Sequence, residues 1–404
     1  MTRLTTKRLI RCSDKPGTQS VRRLRTPPLS AGPCKTLLFG LFSIMLAVSA
    51  QASIPAAESY DDTDVLLTIT DTMAAASYNT FEDDVESRVR ELITLHRETD
   101  DPRFLGYAKS ALQNSEESGT SEDLIVLSAI VDQSLHDFDS ARTKLTDIVA
   151  SSESRTNYLQ ALTVLINLEI VSGRYEKAGQ LCAQLSKTDH PYIRANCQAQ
   201  IKALTGDPVQ AYQTLSSQAQ RMPATHPYAA FIQNTLGDIA SQAGLPDAPA
   251  HYSRALVIDP TDLYARTALA DWHLASGNFD RVESLTRQYD DVDRLAVLRA
   301  IAQKRQGLTQ TNLMETLKQR FDEAAWRDSS LHSRDLARYL LDVSDAPQAA
   351  LTFAYNNWAD QKELIDTRLL IRAAKAASDE AITEEVTAWM EKQGQHDTQI
   401  KDVL

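Results

Sequence analysis

Apolar residues recur at intervals of three and four positions along most of the chain, and short polar or glycine-containing breaks separate the periodic stretches. This spacing is typical of amphipathic helices that bury one face. We find no run of alternating β-branched residues in the sequence that would predict a strand. Glycine is scarce, at 13 residues, whereas strong helix formers such as Ala, Leu and Glu are abundant. The pattern therefore predicts an all-α fold.

The helical stretches repeat in the middle of the chain. Small residues stand at equivalent positions, separated by 37, 33, 37 and 34 residues: Ala141, Ala178, Ala211, Ala248 and Val282. Three positions before each lies an apolar residue or proline that we expect to open a helix: Phe138, Tyr175, Pro208, Leu245 and Phe279. Near the preceding turn lies a glycine, replaced by His136 in the first repeat: Gly173, Gly206, Gly244 and Gly277. Such a period is typical of helix pairs stacked as an α-solenoid.

The repeats define an array with weaker ends. We place five repeats at 122–150, 157–185, 192–219, 230–260 and 263–289. Before them, 81–95 is predicted to be the second helix of a partial capping repeat, and 103–112 a further helix. Beyond 290 the helical spacing continues in three pairs: 295–302 with 313–324, 336–341 with 349–358, and 369–377 with 381–390. We therefore predict an array at 81–290 and a degenerate region of the same type at 291–404, with a separate helical domain as the alternative for the latter.

Two repeats resemble the tetratricopeptide repeat (TPR). One carries Leu236-Gly237, Ala248, Tyr252, Ala255 and Ile258-Asp259-Pro260, and the next carries Leu269-Ala270, Gly277-Asn278-Phe279 and Val282. The resemblance implies a TPR-type α-solenoid, a right-handed superhelix of antiparallel helical hairpins in which small residues let paired helices approach closely. Pro208 replaces the usual aromatic residue, so we expect the second helix of that repeat to start later.

The resemblance also implies a binding groove, because the first helix of each TPR lines the concave face. The groove positions on this chain are short polar residues: Thr163, Asn167, Asn196, Gln200, Asn234, Asp238, Thr267 and Asp271. Asparagine both donates and accepts hydrogen bonds, which suits a peptide backbone. None of the eight is basic, which disfavours recognition of a terminal carboxylate, whereas Asp238 and Asp271 favour a basic or amine-bearing ligand. The alternative is that these residues are only a solvated concave face.

The N-terminus has the features of an export signal. Residues 1–52 carry nine basic residues and one acidic residue, and 37–50 is an apolar run followed by Ala50-Gln51-Ala52. We predict a signal peptide at 1–52 with a long basic start, cleaved before Ser53, and a flexible leader at 53–80. The protein would then be exported to the bacterial periplasm. The apolar run of about 14 residues is short for a membrane span, but an uncleaved segment anchoring the chain in the inner membrane is the alternative.

Charge and cysteine content bear on the partners. Removing 1–52 changes the formal net charge from −12 to −20, which disfavours nucleic acid and favours basic segments or cations. The two cysteines that remain, Cys182 and Cys197, fall on adjacent predicted helices of neighbouring repeats. In an oxidising compartment they are candidates for a structural disulfide, with two buried thiols as the alternative.

The sequence carries no recognisable catalytic or metal-binding motif. Its eight histidines are scattered, and none pairs with cysteine or another histidine at metal-ligand spacing. We therefore expect no enzyme activity, no cofactor and no metal site. The expected function is a non-enzymatic scaffold that holds a protein or peptide segment, which includes a segment of a membrane protein complex.

A second function rests on another resemblance. The segments Leu105-Gly106-Tyr107-Ala108, His136-Asp137-Phe138-Asp139 and Gly173-Arg174-Tyr175-Glu176 are similar to exported bacterial repeat proteins encoded beside small metal-permease-like membrane proteins. This resemblance, together with the acidic balance, implies a periplasmic accessory protein for a metal-transporting membrane protein.

Overall fold

The computed structural model describes residues 84–115, 121–185, 190–326 and 333–401, which all belong to one compact unit. The predicted signal peptide at 1–52 and leader at 53–80 lie outside these residues. Within the described ranges the chain forms 19 α-helices and no strand. In chain order they are α1 (Val85–Thr99), α2 (Arg103–Ser115), α3 (Glu122–Ser134), α4 (Phe138–Ser151), α5 (Arg155–Val171), α6 (Tyr175–Cys182), α7 (Pro191–Leu204), α8 (Pro208–Ala219), α9 (Ala229–Gln242), α10 (Ala248–Ile258), α11 (Leu263–Ala275), α12 (Phe279–Thr286), α13 (Asp293–Arg305), α14 (Asn312–Trp326), α15 (Ser333–Asp342), α16 (Pro347–Asp360), α17 (Leu364–Ala376), α18 (Glu380–Gln393) and α19 (Thr398–Lys401).

The helices pack as consecutive antiparallel pairs, which we number hairpin 1 (α1–α2) to hairpin 9 (α17–α18). Each helix packs mainly on its neighbours in the sequence, so the predicted all-α solenoid is confirmed. The prediction that 81–95 is the second helix of a partial repeat is wrong. α1 packs against α2 and is the first helix of its own hairpin. The three helix pairs predicted beyond 290 correspond to α13–α14, α15–α16 and α17–α18.

Local sequence explains where the helices begin. Ser or Asp precedes seven of the described helices and accepts a hydrogen bond from the backbone amide three residues on, which satisfies an otherwise unpaired donor. These capping residues are Asp84, Ser121, Asp137, Ser154, Asp207, Asp262 and Asp379. The expectation of a late start for the helix at Pro208 is wrong. Pro208 is the first residue of α8, a position where its missing amide costs no helical hydrogen bond.

The prediction that Leu245 opens a helix is also wrong, because α10 begins at Ala248. Pro246 follows Leu245 in the sequence, and a residue before proline is disfavoured in helical conformation. The other four predicted openers are each the first residue of a helix: Phe138, Tyr175, Pro208 and Phe279.

Three of the four turn glycines have the backbone conformation that favours glycine, whereas Gly206 does not have a positive φ. Gly173, Gly244 and Gly277 have φ angles of 72°, 69° and 71°. His136 occupies the equivalent turn with a φ of 64°, which is uncommon for a residue with a side chain. Five small residues of the repeat are fully buried between helices, at 0% exposure: Ala141, Ala178, Ala211, Ala248 and Val282. The period therefore marks sites of close helix packing.

The solenoid closes on itself. At the third and ninth hairpins, the Lys362 amide donates to the Val171 carbonyl oxygen at 2.7 Å. The Arg294 guanidinium on hairpin 7 forms an ion pair with Asp100, which follows the first helix of hairpin 1. Gln242, on hairpin 5, donates to the His396 carbonyl oxygen at 2.7 Å beyond the last hairpin. The contacts join hairpins about six apart, so the second turn of the coil docks directly on the first.

The buried apolar residues of the two docked turns lie in separate clusters, and the rings of Tyr175 and Trp389 make a contact between the turns. The cluster at 126–197 and the cluster at 337–400 contain no common residue. The contacts named above between the turns are hydrogen bonds and an ion pair. The described helices include none that is both long enough and apolar enough to cross a bilayer.

Candidate functional site

The first helices of hairpins 3 to 6, which are α5, α7, α9 and α11, carry the eight residues of the predicted groove, and we call the first helix of each hairpin an inner helix. Two of the asparagines are buried: Asn196 is 1% exposed and Asn234 is 7% exposed. Asn234 Nδ2 donates to Asp262 Oδ2 at 2.7 Å, which ties α9 to the residue that caps α11. These two side chains are buried between helices and are therefore not presented to a partner. The resemblance predicted the helix face on which they lie but not that they are buried.

Four further positions are partly exposed. Thr163 and Thr267 each donate to a carbonyl oxygen one turn earlier in the same helix, at 2.8 Å. Gln200 Nε2 lies 3.5 Å from Thr235 Oγ1 on the next hairpin. Asn167 lies half-buried on α5. These residues form a polar surface of low charge along the inner helices.

Asp238 on α9 is held by two tyrosines. Its Oδ1 accepts from Tyr252 and its Oδ2 from Tyr264, both at 2.8 Å. Burial raises the pKa of Asp238 from 3.8 to about 7, although both tyrosine hydroxyls favour the carboxylate. Both carboxylate oxygens are therefore occupied by neutral donors, and the group carries less than a full negative charge near neutral pH.

Asp271 on α11 is held by a cation. Its Oδ1 accepts from the Arg338 guanidinium, which reaches it from α15 at 2.5 Å. Burial alone would raise the pKa of Asp271, but the adjacent guanidinium outweighs it and holds that pKa below 3.8. Of the two groove carboxylates, Asp271 is the one that binds a basic side chain, and that side chain comes from the same chain.

Sequence reasoning missed two aromatic residues on the same helices. Phe231 precedes Asp238 by seven positions, and Tyr264 precedes Asp271 by seven, so each pair shares one helix face. Phe231 is 43% exposed and Tyr264 is 46% exposed. The order aromatic, polar, carboxylate thus occurs twice: Phe231, Asn234, Asp238 and Tyr264, Thr267, Asp271. The recurring spacing of seven was the signal available in the sequence.

The later inner helices supply cations to the coil's interior. Arg334 on α15 binds Asp366 and Glu363, at 2.6 and 2.5 Å. Arg368 on α17 binds Asp397 at 2.6 Å. The fields of Glu363 and Arg368 also reach Asp238. The predicted groove is therefore flanked by fixed ion pairs of the second turn.

Cys182 and Cys197 lie at the end of α6 and on α7. The structure joins them in a disulfide with Cα atoms 6.3 Å apart. Both residues are buried in the cluster formed around α3 to α7. The bond links hairpin 3 to hairpin 4 and lies away from the aromatic and acidic residues of α9 and α11.

The histidines of the described ranges do not gather into a site. His251 is buried between Tyr212 and Gln233, with ring nitrogens 2.9 and 2.8 Å from their side chains. Burial lowers the pKa of His251 to about 4, so the ring is neutral. Among the described residues, no three His, Cys, Asp or Glu side chains converge as metal ligands.

Comparison with protein-family models finds no match for this chain, and comparison with curated protein sequences also finds none.

Proposed function

We propose that this protein is a non-enzymatic scaffold of tetratricopeptide type that holds a protein or peptide segment against its inner helices. The observation that carries the proposal is the repeated set on α9 and α11. Each helix carries an exposed aromatic ring and, two turns on, a carboxylate that is held within the chain, Asp238 by Tyr252 and Tyr264 and Asp271 by Arg338. Aromatic side chains supply contact area at little entropic cost and are common in recognition surfaces.

The chemistry of this surface defines the partner. Phe231 and Tyr264 offer apolar contacts, whereas Asp271 attracts a basic group, as its pairing with Arg338 illustrates. The net charge of −12 disfavours nucleic acid. We therefore propose a protein or peptide segment that combines basic and apolar side chains, from a soluble protein or from a membrane protein complex.

The proposed compartment is the bacterial periplasm. Support comes from the basic and apolar N-terminus, which resembles an export signal, and from a cysteine pair placed for a disulfide. Attachment to the inner membrane through an uncleaved N-terminal segment is the alternative. Fractionation of cells that express the full chain, with mass measurement of its mature N-terminus, separates the two.

Site-specific photocrosslinking in intact cells tests the function. A photoreactive residue replaces Phe231 in one variant and Thr267 in another, so that one probe stands on each of the two helices. We expect both to give an adduct with the same protein, identified by mass spectrometry. The matched control is Val257, which is 83% exposed on the outer helix α10 and should give no such adduct.

A second variant, which combines Phe231→Ala with the photoreactive residue at position 267, tests whether the exposed ring is needed for binding. Phe231→Ala removes an exposed ring and should eliminate the adduct formed from position 267 without a change in helical content by circular dichroism. The proposal fails if the adduct persists in this variant, or if Val257 forms the same adduct as the inner positions.

A further inference from the structure

Arg338 reaches across the inner face of the coil to Asp271. It lies on α15, two hairpins after α11, and one of its terminal amino groups donates to Asp271 Oδ1 at 2.5 Å. The Asp271 side chain is 29% exposed and the Arg338 side chain is 14% exposed. The acidic position of the predicted groove is thus occupied by a guanidinium from the second turn.

The pairing uses the guanidinium incompletely. An arginine has five donors in a planar fork that matches a carboxylate in bidentate fashion. Arg338 makes a single contact with Asp271, and its Nε lies 3.7 Å from Asp342 Oδ2, beyond hydrogen-bond range. Among the described residues this Nε is buried without a hydrogen-bond acceptor and Asp342 Oδ2 without a hydrogen-bond donor, so the two groups form only a long ion pair. A guanidinium free to orient itself on Asp271 would satisfy more donors than Arg338 does.

Asp342 is already committed to another cation. Its Oδ1 accepts from Arg372 on α17. Asp342 therefore remains paired with Arg372 when Arg338 moves away. If an incoming cation then replaced Arg338 on Asp271, both Asp271 and Asp342 would keep a cationic partner. The geometry allows exchange of one guanidinium for another at that position.

We propose that Arg338 occupies the place of a partner's arginine, so that α15, two hairpins further along the solenoid, masks Asp271 until an arginine-bearing segment displaces it. This inference rests on the proposed function, since it names the side chain that the groove selects. Arginine is favoured over lysine because the group that now lies between Asp271 and Asp342 is a planar guanidinium, whereas an ammonium is a compact point charge.

Chemical rescue tests the site without a partner protein. Arg338→Ala creates a space lined by Asp271, and ethylguanidinium is the probe, with ethylammonium as its matched control. We expect ethylguanidinium to bind Arg338→Ala, measured by calorimetry on the full chain, at least about tenfold more tightly than it binds the wild type, where the site is filled. Ethylammonium should bind about tenfold more weakly than ethylguanidinium.

The double variant Arg338→Ala with Asp271→Asn should lose the binding, which assigns it to the carboxylate. If Arg338→Ala does not fold, Arg338→Gln keeps the length of the side chain without its charge and gives the same comparison. Equal binding of the two probes, or binding that survives Asp271→Asn, would overturn the inference. Either result overturns the masking of Asp271 without contradicting the proposed binding of a segment. Binding of ethylguanidinium together with the absence of a crosslinked partner at positions 231 and 267 would instead overturn the proposed function.

Discussion

The backbone amide of Lys362 donates to the carbonyl oxygen of Val171 at 2.7 Å, and this hydrogen bond joins the loop before α17 to the end of α5. Tyr175, just beyond, donates its hydroxyl to the Lys362 carbonyl oxygen at 3.3 Å and accepts from Gln395 at 3.2 Å. The hydrogen bond between the main-chain groups of Lys362 and Val171 requires close approach of two backbones. The seam between the two turns of the coil, formed by these residues and Gly173, is therefore open to direct test.

Gly173→Ala should destabilise the protein through this seam. A Cβ at position 173 would lie 2.8 Å from Lys362 Cδ and 3.0 Å from the Trp389 ring, and the φ of 72° adds backbone strain. Gly277→Ala is the matched control, because its φ is 71° but nothing lies within 4 Å of the added carbon. We expect a loss of about 1 kcal/mol for Gly277→Ala and about 1–3 kcal/mol more for Gly173→Ala.

Urea unfolding followed by circular dichroism measures both variants. Tryptophan fluorescence in a background where Trp389 is the only one of the four tryptophans retained reports on the seam, because Trp389 packs against Tyr175 at a centroid distance of 6.1 Å. Equal losses in the two variants would show that the turns of the coil are not docked at Gly173.

Asp238 should make the stability depend on pH. Its pKa in the folded protein is about 7, against an ordinary value of 3.8. The folded state therefore keeps a proton that the unfolded chain has already lost, and stability falls as pH rises from about 4 through about 7. The groups facing this carboxyl are Tyr252, Tyr264, Glu363 and Arg368.

Asp238→Asn removes this titration and still accepts one tyrosine hydrogen bond. We expect the loss of unfolding free energy between about pH 4 and about pH 8 to shrink by about 2–4 kcal/mol. Asp291→Asn, at a fully exposed carboxylate, is the control. The same pH dependence in the wild type and Asp238→Asn would place the titration elsewhere.

The repeat period determines much of this fold, but not its closure. Ala178 and Gly173 could be placed from the sequence because close helix packing and a left-handed turn each restrict the residue type. The contact of Lys362 with Val171 could not, since it depends on a small rotation accumulated over about six hairpins.

His136 shows the same limit within one turn. The repeats predict glycine at this position, and the conformation is indeed left-handed. Its Nδ1 accepts a hydrogen bond from Gln361 Nε2 at 2.7 Å, so the His136 side chain contributes a contact between the two turns of the coil. For the binding surface, the resemblance indicated the helix face of Asp271, but only the coordinates reveal that Arg338 covers it and that Phe231 remains exposed.

Arg334→Met should be strongly destabilising. The change leaves the Asp366 carboxylate, fully buried and paired with Arg334 at 2.6 Å, without its cation. Burial already raises the pKa of Asp366 to about 6 despite Arg334, and loss of the guanidinium raises it further. We expect a loss of about 3–5 kcal/mol, larger at about pH 8 than at about pH 5, because the charged form is the one that is penalised.

A surface ion pair provides the comparison for Arg334. Arg103 pairs with Asp101 at 2.5 Å but is 78% exposed, so Arg103→Met should cost less than about 1 kcal/mol. Both variants are measured by urea unfolding at the two pH values. A loss for Arg334→Met as small as that for Arg103→Met would contradict a buried ion pair at Asp366.

Reduction of the disulfide between Cys182 and Cys197 should destabilise the folded protein. A disulfide between Cys182 and Cys197 closes a loop with a sequence separation of 15, which stabilises the folded state by about 3 kcal/mol through the entropy of the unfolded chain. Reductant should therefore lower the urea midpoint of the wild type. The variant Cys182→Ala with Cys197→Ala should be insensitive to reductant and about as stable as the reduced wild type.

Alkylation before and after reduction, followed by mass measurement of the peptides that contain Cys182 and Cys197, establishes the bond directly. If the chain is exported to the periplasm as proposed, protein isolated from cells should be protected from alkylation until it is reduced, because that compartment maintains disulfides. Two thiols that react in denaturant without reduction would show that hairpins 3 and 4 are held by packing alone. In that case the reductant effect on stability should also be absent, so the two measurements test one another.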